Sequence, residues 1–180
     1  YMALQLADPV AISAETSGHN NETYPGWSVI TFEFPATDSR GAIKLKWYDG
    51  GKVPPPSLLD GEQPVASGCL IIGDNGKLYA TGDYGDDYRL LGGIEQPEIE
   101  FEKSPGHFAE WVNAIKGGKP ATSNFGDYAG RLTETILLGN LAVWVGGGKR
   151  VEWDSKTLSS PNMPEVANIV KREYREGYSL

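Results

Sequence analysis

Lys46, Trp47 and Tyr48 stand in a row and run straight into Asp49. This is the first stretch whose side chains could act together on a small molecule. A phenol hydroxyl both donates and accepts hydrogen bonds, and an ammonium group donates only, so the pair can hold a polyol hydroxyl. The same pattern also fits an exposed sheet face or a contact between subunits. His107 is a second candidate. It falls at the third position of a helix expected to start at Ser104, and helix N-termini attract anions and polar ligands. The competing reading is a local polar residue near a helix start. His19 lies in the polar run SGHNNE and reads as a solvated histidine. The two histidines are far apart in sequence, and no metal site can be built from them.

Carboxylates are plentiful, at Asp49, Asp83, Asp86, Asp87, Glu152 and Asp154. A suitably spaced pair would hydrolyse a glycosidic bond, and Trp47, Tyr48 and Tyr84 could stack on sugar rings. Acidic residues in glycine-rich turns are, however, ordinarily turn formers. The single cysteine, Cys69, precedes Leu70, Ile71 and Ile72 and reads as a buried apolar thiol. No G-x-G-x-x-G follows a strand, and the Gly146-Gly147-Gly148 run comes after a helix, with the wrong spacing for a pyrophosphate cradle. There is no P-loop, no H-E-x-x-H and no G-x-S-x-G.

The elements that must position these residues follow from periodicity. Residues 10–15, 27–34, 42–48, 69–73, 77–81, 88–91 and 150–153 are expected strands. In 27–34, Ser28, Ile30, Phe32 and Phe34 share one face. In 42–48, Ile43, Leu45 and Trp47 face one way, and Lys44, Lys46 and Tyr48 the other. One packed face and one wetter face argue for antiparallel pairing. Asn75-Gly76 between two apolar runs predicts a hairpin, because both residues tolerate positive φ. A helix follows from Ser104 as N-cap and Pro105 at N1, with Phe108, Trp111, Val112 and Ile115 on one stripe and Gly117 as its stop. A second helix, about 127–145, is apolar almost all round in its second half. One side can rest on the sheet, with Gly139 permitting close approach, and something must cover the other. A last helix is expected from Pro164, with Val166, Ile169, Val170 and Tyr174 on one stripe and Lys171, Arg172 and Arg175 in its final turns.

Length and charge narrow the class. One hundred and eighty residues suit one domain, and 39% hydrophobic with 22% charged residues is an ordinary globular balance. Sixteen basic against twenty-four acidic residues give a net charge of −8 with no basic cluster, which sets nucleic acid aside as a partner. No stretch is long and apolar enough for a membrane span. The opening YMALQLADPV lacks the features of a signal peptide and reads as the tail of a helix stopped by Pro9, as if cut from a longer protein. The compartment stays open. Strands first and helices later predict an α+β fold: an open, mostly antiparallel mixed β-sheet with helices packed on one face.

Several segments, taken together and in order, resemble the C-terminal domain of the glucose–fructose oxidoreductase / inositol dehydrogenase (Gfo/Idh/MocA) family, in its bacterial dehydrogenase-like branch. They are ETYPGWSVITFEFPA, KLKWYDGGKVPP, GDNGKLYATGDYG, SPGHFAEWVNAIKGGKP, SNFGDYAGRLTETILLGN and KREYREGYSL. The resemblance implies that residues 1–180 are one substrate-binding and oligomerisation domain, without the N-terminal nucleotide-binding Rossmann domain. It implies hydride transfer between a sugar or polyol carbinol and NAD or NADP, with the cofactor held by that other domain. It implies a dimer or tetramer formed through the free sheet face. The family's Glu-Lys-Pro and Asp-x-x-x-His motifs are not in the chain, so no catalytic or cofactor-binding residue is assigned. Lys46, Trp47, Tyr48 and His107 remain the candidates for substrate contact, with Tyr48 matching the region that meets substrate in relatives. A stand-alone carbohydrate-binding module and a glycoside hydrolase fragment are the alternatives.

Overall fold

A computed structural model describes residues 1–178. In chain order its elements are β1 (Ala11–Thr16), β2 (Ser28–Phe34), β3 (Ile43–Tyr48), β4 (Gly68–Ile72), β5 (Lys77–Thr81), β6 (Asp87–Leu91), α1 (His107–Ile115), α2 (Gly130–Val145), β7 (Arg150–Glu152) and α3 (Ala167–Val170). The class is α+β, with the strands in two open sheets rather than one large one, ordered β3-β2-β1-β7 and β4-β5-β6. The chain divides into two compact units, residues 48–103 and the remainder.

In the larger unit β1 pairs antiparallel with both β2 and β7. Alternation along β2 works as its sequence requires: Ser28, Ile30, Phe32 and Phe34 are buried while Val29, Thr31 and Glu33 are half-buried. The core lies between this sheet and α2, built from Ile12, Ala14, Ile30, Phe32, Phe34, Leu138, Leu141, Ala142, Val143 and Val151. Gly139 makes the close approach possible. A Cβ built there would stand 2.9 Å from the Phe32 ring, well inside carbon–carbon contact distance. The opposite sheet face is polar. Ser13 on β1 lies between Thr31 and Arg150 in register, and Ala11 between Glu33 and Glu152. These two small residues let Arg150 reach over β1 to Glu33, donating to both carboxylate oxygens at 3.2 and 2.9 Å. The guanidinium hydrogen bonds hold the Glu33 carboxyl below its ordinary range.

The opening residues form a turn at residues 2–5 rather than the tail of a helix. Arg40 fixes it, donating from Nε to Leu4 O at 2.5 Å and from Nη2 to Gln5 O at 2.9 Å.

The smaller unit is a three-stranded antiparallel meander. Lys77, Tyr79 and Arg89 share one face of it, by alternation and register. Residues 58–65 are tied across that face. Tyr79 donates its hydroxyl to Gln63 O at 2.8 Å and accepts from Val65 N at 3.1 Å. Lys77 donates to Leu58 O and pairs with Asp60, and Arg89 pairs with Glu62. Leu59 and Tyr79 are buried. The hairpin at 73–76 forms where Asn-Gly places it, closed by Gly73 N donating to Gly76 O at 2.9 Å. Its cause differs from the expected one, because neither Asn75 nor Gly76 has positive φ. Gly76 is needed for space: an added Cβ would lie 2.7 Å from Leu91 O and from Ile94.

Candidate functional site

The structure keeps Lys46, Trp47 and Tyr48 together as the end of β3, an edge strand of the four-stranded sheet. Ile43 and Leu45 pack against the core as alternation requires. Trp47 shares their parity but departs from the expectation of a packed face, since it is 58% exposed. Lys46 is exposed and Tyr48 half-buried. The loop that follows turns on left-handed Gly50 and Gly51, at φ 61° and 83°, closed by Lys52 N donating to Asp49 O at 3.1 Å. By strand alternation the exposed Trp47 indole faces away from Lys46 and Tyr48, and the glycine turn follows them in sequence.

His107 belongs to a separate element, and its ring packs on Phe108 with centroids 4.5 Å apart. It is the first residue of α1 rather than the third of a helix from Ser104. The N-cap is Gly106, at φ 98°, without a side-chain cap. Ser104 does other work: its hydroxyl accepts from Gly106 N and donates to Glu110, whose carboxylate also accepts from Thr122 N at 3.0 Å. These bonds, from Ser104 first and Thr122 next, lower the Glu110 carboxyl. The clasp displaces capping because Pro105 and Gly106 carry the chain on in non-helical geometry before the first helical turn.

The helices expose what the sequence expects them to bury. The stripe on α1 exists, but Phe108, Trp111, Val112 and Ile115 are 77%, 60%, 40% and 68% exposed, and α1 buries no residue. On α2 the inner side meets the sheet, whereas Ile136, Leu137 and Trp144 remain about half exposed. Leu137 and Trp144 border an apolar groove of about 510 Å³ lined also by Leu141, Trp153, Leu158, Ile169 and Val170. Its polar points are Asn140 and Glu134, and Glu134 accepts from Trp153 Nε1 at 2.9 Å. Periodicity on α2 points to this face; the wall made by Leu158 has no periodic signal. The last helix is short. A 3₁₀ turn at Pro164–Val166 leads into α3, which ends at Val170. Tyr174, Lys171, Arg172 and Arg175 therefore lie beyond it, and Arg175 stacks over the Tyr178 ring at 4.1 Å.

The remaining candidates take local roles. Cys69 is exposed rather than buried, because it lies on β4 at the edge of the thin sheet. Asp83 accepts from Ser67 and Asp87 from Thr81. Asp154 accepts from Thr157 and Lys156 N, bonds that lower its carboxyl. Among the described residues no group of three or more His, Cys, Asp and Glu side chains is placed to hold a metal ion, and no helix is long and apolar enough to cross a membrane. No protein-family model matches the chain, and no curated protein matches it.

Proposed function

We propose that this chain is a substrate-binding and assembly domain of a NAD(P)-dependent oxidoreductase acting on a sugar or polyol. In this reading the redox step belongs to a separate nucleotide-binding domain, which holds NAD or NADP, and these residues are not redox-competent alone. The observation that carries the reading is the uncovered apolar surface of α1 and α2. A typical monomer leaves only a few hundred Å² of contiguous apolar surface in water, and here large side chains on both helices stand exposed. Such a surface is built for another protein body to pack on. The end of β3 supplies the ligand chemistry: Lys46 and Tyr48, alternate residues on one face of the strand, hold hydroxyls.

Calorimetric titration of the chain tests this. A panel of cyclic polyols and hexoses should include a ligand whose binding is weakened at least tenfold in Lys46→Met and in Tyr48→Phe. NAD and NADP should give no heat of binding. Micromolar NAD affinity, or no binding across the panel, contradicts the reading.

A further inference from the structure

We infer that the partner on the helical face is a second copy of this chain, with α1 of each copy seated in the α2 groove of the other. The inference rests on the reading of this face as an assembly surface and names its occupant. α1 has nine residues and buries none of them. Isolated helices below about 12–15 residues are marginal in water, and helices in proteins draw their stability from packing an apolar face. α1 therefore needs a groove. Its anchors, Phe108, Trp111, Val112 and Ile115, have the i, i+3, i+4, i+7 spacing with which an amphipathic helix fills one. The same chain carries such a groove, open and apolar, between α2 and residues 158–170. Helix and receptor thus occur on one polypeptide, and among the described residues most of their apolar side chains stand exposed.

Two further observations favour a second copy. Charge is complementary: Lys116 flanks the α1 stripe, and Glu134 is the carboxylate of the groove lining. Glu110 points away from the stripe by helical periodicity and is held by Ser104 and Thr122. Area is sufficient as well. At about 200 Å² for each whole large apolar side chain, the exposed fractions on α1 and around the groove amount to roughly 1,000 Å² per copy. A standard stable interface takes about 800 Å² per partner. Reciprocal seating makes an isologous two-fold contact that closes on itself.

The test is light scattering on the full chain and on Trp111→Glu and Leu137→Glu. Both residues are more than half exposed, so both variants should keep the wild-type circular dichroism. The wild type should have the mass of a dimer, and each variant should dissociate about 100-fold more readily. An equimolar mixture of the two variants should associate more readily than either variant alone, because the heterodimer keeps one intact helix in one intact groove. A monomeric wild type overturns the inference and gives the face to another protein, leaving the polyol titration to judge the wider reading. Variants that dimerise unchanged place the contact elsewhere, such as the polar sheet face. A mixture that associates no more readily than the single variants contradicts the pairing of α1 with the groove.

Discussion

The two compact units are held by different physics. In the larger one, a glycine lets α2 press against Phe32, and interdigitated apolar side chains make the core. In the smaller one, Leu59, Tyr79 and Ala80 are the buried hydrophobics, and a covering segment is tied down through polar atoms. Close packing tolerates neither voids nor excess volume. Tied-down loops instead depend on individual hydrogen bonds whose partners are left stranded when one is removed. The larger unit should thus break by changes in volume, and the smaller by loss of single polar atoms.

The largest effect is expected at Phe32→Ala, which opens a cavity against Gly139 and should cost about 3–5 kcal/mol in denaturant unfolding. Gly139→Leu attacks the same contact from the other side and should cost about 1–3 kcal/mol through overpacking. If both changes are tolerated within experimental error, the described packing is wrong. Next comes Tyr79→Phe. It strands Gln63 O and Val65 N, and should cost about 1–3 kcal/mol and speed proteolysis within 56–65. Unchanged cleavage there would remove the distinction between the two units.

The smallest effect is expected on the polar sheet face, where Arg150→Met should cost no more than about 1 kcal/mol, because the pair is partly exposed. Its pH dependence carries the information. The folded Glu33 carboxyl titrates below its ordinary value of 4.5. The pair's contribution is therefore fully present above the unfolded value and is lost as pH falls through the lowered one. Unfolding midpoints of wild type and Arg150→Met should differ near neutrality and converge in acid. A gap that grows in acid would contradict the assignment.

Most strands were legible because their physics is local. β2 alternates cleanly, and Asn75-Gly76 marks the hairpin even though the reason lies in space around Gly76 rather than in positive φ. The inner face of α2 was legible through Gly139. What stayed hidden depends on distant partners or on none. The cover over Tyr79 is irregular chain with no period. Arg40 holds the N-terminal turn by reaching backbone carbonyls that no pattern announces. The length of α3 could not be read from its stripe, since Ile169 and Val170 follow helical spacing whether or not the helix continues to Tyr174. Of the candidate site, the run from Lys46 to Tyr48 was read correctly as a strand end, but the exposure of Trp47 was not. Alternation fixes parity, and burial depends on what covers that end of the strand. The same lesson applies to α1: a perfect stripe says which residues seek cover and not where that cover is.

That point gives the most direct measurement of the assembly claim, amide hydrogen exchange of residues 107–115 as a function of protein concentration. A nine-residue helix with no fully buried residue in the described structure should exchange rapidly when dilute. It should become protected at least tenfold as concentration rises, together with the outer face of α2. Fast exchange in α1 at every concentration, or protection that is independent of concentration, would contradict the account.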